Sequence, residues 1–142
     1  LDDHNLLWLQ PQNGGDWIMD YLEEGEKFAF IEKMIKKFQE LPLVIEVETQ
    51  EGLVGIIHAE CPVDDWLVLQ TLKDNKRVHN VCLWSRELIY NNNQLKVENI
   101  YKVFHGHTVL RNPAILGNRH YIDTGLAYKS PDFTGKLTIV QL

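Results

Sequence analysis

Leu53-Val54-Gly55-Ile56-Ile57-His58-Ala59-Glu60 and Ile100-Tyr101-Lys102-Val103-Phe104-His105-Gly106-His107-Thr108 decide how this chain reads. Each is an apolar run of strand character that closes on an imidazole. In open α/β sheets, ligands and catalytic groups collect in the crevice beyond the carboxyl ends of the strands. Two histidines at two such ends, far apart in sequence, are candidates to meet in space. Neutral imidazole is a ligand for zinc, copper, iron and nickel. A lone strand-end histidine is more often a hydrogen-bonded structural residue, and only the pair with its neighbours turns that balance.

Outward from these two runs, residues 43–48 and 53–57 read as strands joined by Gln50-Glu51-Gly52, an antiparallel hairpin. Upstream, Phe28, Ile31, Met34, Ile35 and Phe38 recur at helical spacing, with Glu26, Lys27, Glu32, Lys33, Lys36 and Lys37 mostly opposite, and predict a helix over 26–40. Leu41-Pro42 ends it, because a residue before proline is pushed out of the α region. Earlier still, Asn13-Gly14-Gly15 is a turn signal and Asp16 the cap of a short helix through Leu22. Downstream, 64–72 reads as a helix anchored by Trp66, followed by a polar stretch through Asn80. Further strands are expected at 100–105, 119–123 and 136–141, with turns at Gly117-Asn118 and Thr134-Gly135. Helices gather before residue 90 and strands after it. The expected fold class is α/β (α+β), one unit with a mostly antiparallel sheet and flanking helices.

Composition narrows the function classes. A chain of 142 residues fits one domain, and chains near this length hide roughly 70% of their unfolded surface. A 44% apolar and 10% aromatic content argues for a globular protein. Net charge is −6 and no basic block occurs, which disfavours a nucleic-acid partner. No apolar run approaches the roughly 20 residues of a membrane span. Two cysteines, Cys61 and Cys82, make no disulfide framework, and a reducing cytoplasm fits them best. Cys61 lies three residues after His58, yet reads as a small buried thiol before it reads as a ligand.

Further pieces fall in a fixed order: Asn13-Gly14-Gly15-Asp16-Trp17, His58-Ala59, Trp84-Ser85-Arg86-Glu87, Gly106-His107-Thr108, Tyr121-Ile122-Asp123-Thr124-Gly125 and Leu137-Thr138. The set resembles the C-terminal half of the calcineurin-like metallophosphoesterases, above all the bacterial and phage serine/threonine protein phosphatases of the bacteriophage lambda type. The likeness covers nearly the whole chain; each piece is weak, and six in order are strong. It implies His58 and His107 as metal ligands and Arg86 as the arginine that holds the substrate phosphate. His105 ranks second, and Glu60 departs from the Asp or Gly common after His-Ala. The cofactors implied are two divalent metal ions, Mn²⁺ first, with Fe, Zn or Ni as alternatives. The implied substrate is a phosphoprotein or small phosphoester, attacked by a metal-bound hydroxide.

The family's Asp-x-His-Gly, Gly-Asp-x-x-Asp-Arg and Gly-Asn-His-Glu motifs do not occur here. The resemblance therefore implies that residues 1–142 are the C-terminal portion of a single metallophosphoesterase domain, one sheet of a two-sheet sandwich. The other ligands and the general acid would lie elsewhere. On that reading the chain alone is inactive and pairs with its own N-terminal part or with a second copy. Two other readings stand beside it. One is a non-catalytic interaction module docking through an exposed sheet face. The other is a small mononuclear site built from His58, His105 and His107, with or without His120. Arg86, without the resemblance, would form a surface ion pair with Glu87 or another acid.

Overall fold

The two expected hairpin strands do fold back on one another. The computed structural model describes residues 16–18, 25–72 and 74–142, and divides the chain into two compact units, 1–41 and 42–142. In the first, Asp16–Ile18 form a short 3-10 helix and Gly25–Gln39 form α1, where the apolar periodicity placed it. Asn13-Gly14-Gly15 and the rest of the helix expected through Leu22 lie outside the described residues.

The second unit is built on a five-stranded sheet. Its elements in order are β1 (Val44–Thr49), β2 (Gly52–Ile57), α2 (Trp66–Thr71), α3 (Lys76–Trp84), α4 (Glu87–Tyr90), β3 (Lys102–His105), β4 (Ala114–Leu116) and β5 (Arg119–Tyr121). A small separate hairpin, β6 (Lys129–Ser130) and β7 (Phe133–Thr134), follows. The sheet order is β1-β2-β3-β5-β4. The class is α/β, as expected, but the sheet is mixed. The outer pairings β1/β2 and β4/β5 are antiparallel, and the inner pairings β2/β3 and β3/β5 are parallel. A tight turn can only return a strand antiparallel, whereas a parallel neighbour needs a long crossover. Here α2, α3 and α4 supply that crossover between β2 and β3.

Each crossover helix has a local cause. Asp65 caps α2, accepting from the Leu67 N–H at 3.0 Å. Trp66 then lays its indole against β2, where a Cβ on Gly55 would stand 2.3 Å from the ring. Only glycine permits that approach. The Trp66 Nε1–H donates to Glu46 Oε1 at 2.6 Å, so the polar edge of a fully buried ring is satisfied. Helix α3 lies in the stretch read from sequence as polar through Asn80. Asn75 caps it by accepting from Arg77 and Val78, and Val78 and Cys82 turn inward.

The core collects Ile57, Cys61, Trp66, Leu69, Val78, Cys82, Val97 and Val103. On the β5 side, Asn118 opens the strand and ties it to the preceding loop. Its side chain donates to the Val97 and Ile100 carbonyls and accepts from the Val97 N–H. The segment 136–141, expected as a strand, forms among the described residues only a bridge from Lys136 to Gly125. No described helix is long and apolar enough to cross a membrane.

Candidate functional site

Three parallel strands deliver the site. Ile57, His105 and Tyr121, the last residues of β2, β3 and β5, are register partners. The chain therefore leaves the sheet side by side at His58, Gly106-His107 and Ile122-Asp123. The Gly106 N–H donates to the His58 carbonyl at 2.9 Å and the Ile122 N–H to the His105 carbonyl at 2.9 Å, which lace the three exits together.

The two histidines expected to converge do so. His58 Nε2 and His107 Nδ1 are 3.1 Å apart, with ring centroids at 4.9 Å. His58 is exposed and His107 half-buried, with the Trp84 ring edge-on to it at 5.8 Å. His107 adopts φ +64°, a left-handed conformation that costs a non-glycine residue on the order of 1 kcal/mol. Backbone strain of this kind clusters where a side chain must be aimed. Burial lowers the proton affinity of His107, and the Arg86 and His58 charges lower it further. The Trp84 carbonyl and the Asp123 carboxylate act the other way. A neutral ring keeps a lone pair for a metal.

Arg86 falls where its charge reaches His107. It is the N-cap of α4 and is exposed. Among the described residues its guanidinium makes no hydrogen bond or ion pair, so the surface pair with Glu87 does not form. The three residues singled out from the sequence thus lie at one edge.

The two other candidate histidines, His105 and His120, stand apart. His105 is 1% exposed, stacked near Tyr121 at 4.9 Å, and neither ring nitrogen finds a hydrogen-bond partner among the described residues. Burial first, then the Arg119 charge, lowers its pKa to about 3. His120 packs on Phe104 at 5.1 Å. The Gly106 turn separates His105 from His107 and does not align them. The four-histidine mononuclear arrangement is not assembled, and the described residues contain no group of three or more His, Cys, Asp or Glu that could hold a metal. Cys61 is a buried thiol bonded to the Val63 carbonyl at 3.4 Å, its pKa pushed up by burial.

The donor set nevertheless suits part of a metal centre. The two imidazole nitrogens lie at hydrogen-bond distance, 3.1 Å, and each can take a metal when it carries no proton. Two neighbours escaped the sequence reading. Asp123 follows the third parallel strand and reaches His107 electrostatically; its place in Tyr121-Ile122-Asp123-Thr124-Gly125 was the available signal. Glu60 is wholly buried and grips the segment that carries Arg86, a tertiary contact with no local signature.

The chain matches no family model. It is 34% identical over 140 residues to serine/threonine-protein phosphatase 1 of Salmonella typhimurium, covering 97% of this chain and 57% of that protein. It is 28% identical over 140 residues to serine/threonine-protein phosphatase 2 of Escherichia coli, covering 96% and 57%. Phosphatase 2 of Salmonella typhimurium is 29% identical over 117 residues, covering 80% and 50%. The chain thus spans about half the length of the curated relatives it matches. Over the part that they share, it is a homologue of the bacterial serine/threonine-protein phosphatases.

Proposed function

We propose that this chain carries one edge of a metal-dependent phosphoesterase site, that of a serine/threonine protein phosphatase acting on phosphoproteins or small phosphoesters. The observation that carries the reading is the 3.1 Å approach of His58 Nε2 to His107 Nδ1, with Arg86 beside it and unpartnered among the described residues. His58 and His107 would hold one divalent ion, Mn²⁺ first in expectation, through the two ring nitrogens that approach to 3.1 Å. Such an ion, in a two-metal site, supplies a hydroxide nucleophile at neutral pH and neutralises charge on the phosphoryl group. Two imidazoles do not complete a centre, so the remaining donors and the general acid are assigned to parts of the enzyme outside the described residues. This is the C-terminal portion of the catalytic domain on that assignment, inactive by itself.

The chain's own residues divide the work. The left-handed turn at His107 aims its ring at His58. Arg86 offers a planar fork that binds two phosphate oxygens at once, a geometry lysine lacks. Trp84 sets its ring perpendicular to that of His107, 5.8 Å away between centroids. The test is Mn²⁺-dependent hydrolysis of p-nitrophenyl phosphate and a phosphoserine peptide by the complete encoded protein. Arg86→Ala should remove about 2–4 kcal/mol of transition-state stabilisation while bound metal stays constant. Arg86→Lys should recover only part of it. Unchanged kcat/KM in Arg86→Ala would contradict the assignment.

A further inference from the structure

The wholly buried carboxylate of Glu60 sits two residues after His58 and takes no part in the chemistry above. It accepts three hydrogen bonds, all from the segment that carries Arg86. Ser85 Oγ donates to Oε2 at 2.6 Å, the Leu88 N–H to Oε2 at 3.1 Å and the Ile89 N–H to Oε1 at 2.9 Å. Leu88 and Ile89 are the second and third residues of α4, where backbone N–H groups have no partner within the helix. Such donors are usually met by the N-cap side chain. The N-cap here is Arg86, which makes no capping bond. A helix of four residues cannot sustain itself. Glu60, 28 and 29 residues upstream of the two amides, takes over the capping role.

A second tie runs alongside. The Ala59 N–H donates to the Cys82 carbonyl at 2.7 Å, fixing the end of α3 to the same exit from β2. The backbone on both sides of Arg86 is thereby held by the two residues that follow His58. The guanidinium itself stays uncommitted among the described residues. With no exposed surface and both oxygens occupied, Glu60 has no access to substrate.

We propose that Glu60 is a positioning residue that locks the Arg86 turn in register with the His58–His107 pair, so that the guanidinium and the metal address the same phosphate. This rests on the phosphatase reading and extends it to a buried group. Holding the backbone on both sides of Arg86 fixes the point from which its side chain extends, and leaves the fork free to bind.

The test is a double-mutant cycle in the complete encoded protein, assayed with Mn²⁺ and p-nitrophenyl phosphate. Glu60→Gln replaces one acceptor oxygen by an amide NH₂ that cannot accept from Ser85 or Leu88. It should raise KM about tenfold with bound metal unchanged, and Glu60→Asp should recover part of the loss. Arg86→Ala added to Glu60→Gln should cost at most about threefold more, because the arginine is already misplaced. Hydrogen exchange at the Leu88 and Ile89 amides should quicken in Glu60→Gln. Ser85→Ala, which removes one of the three bonds, should give a weaker version and serves if Glu60→Gln does not fold. If the two losses multiply independently, or exchange at Leu88 and Ile89 is unchanged, the proposal is overturned while the phosphatase reading stands. If Arg86→Ala is itself silent, that reading falls and takes the proposal with it.

Discussion

Arg119 and Arg86 are the same side chain in opposite circumstances. Arg119 is 1% exposed; its Nη1 donates to the Leu95 carbonyl, and its Nη2 lies 3.3 Å from Asp64 Oδ1. Arg86 is exposed and, among the described residues, its guanidinium is unclaimed. Around Arg119 the protein uses its polar groups to close the fold. Around Arg86 it spends a buried carboxylate, Glu60, on the backbone and leaves the head group open. The difference separates a cation that the fold has already bonded from one that it leaves open to solvent. The same contrast recurs across the Gly106 turn, where His105 is sealed in and His107 faces His58.

The comparison breaks most readily at the two arginines. Arg119→Ala leaves the Leu95 carbonyl without its donor and opens a void, and should cost about 3 kcal/mol of folding stability. Arg86→Ala should stay within about 0.5 kcal/mol of the parent, as surface changes do. Urea denaturation of both variants measures this directly. Equal destabilisation would make Arg86 a structural residue and erase the distinction.

The two histidines across the turn sharpen it through the pH dependence of stability. The folded His105 ring takes a proton only near pH 3, chiefly because of burial, whereas the unfolded ring does so near about 6.5. Between those values the unfolded chain binds more protons. The contribution is therefore fully present above about pH 6.5 and is lost on acidification, by up to about 1.4 kcal/mol per pH unit. His105→Phe should flatten stability against pH in that window relative to the parent. A curve parallel to the parent's would show that the buried, unpartnered environment of His105 is wrong.

What the sequence showed depended on how local the cause was. The hairpin over 44–57, α1 and the Trp66 helix each carry their signal within a few residues: a Gly52 turn, a helical apolar period, an Asp65 cap. The convergence of His58 and His107 was legible because strand ends in an α/β sheet share an edge. The parallel pairing that produces it was not, since pairing direction depends on the crossover rather than on either strand. Helix α3 was read as a polar stretch, because the charges of Lys76 and Arg77 obscured the Asn75 cap and the spacing of Val78 and Cys82. At 136–141 the alternation of Leu137 and Ile139 suggested a strand. Alternation states which side chains share a face and nothing about a backbone partner. Glu60 acts across a long sequence separation that only the fold reveals, whereas Asp123 stood in a motif whose reach to His107 the fold supplies.

The central claim is that His58 and His107 share one divalent ion, and equilibrium Mn²⁺ binding by the complete encoded protein tests it most directly. His58→Ala and His107→Ala should each weaken binding by at least about tenfold, since losing a ligand costs no less than losing its supporting neighbour. Arg86→Ala should bind Mn²⁺ like the parent. Parental Mn²⁺ affinity in both histidine variants would contradict the account.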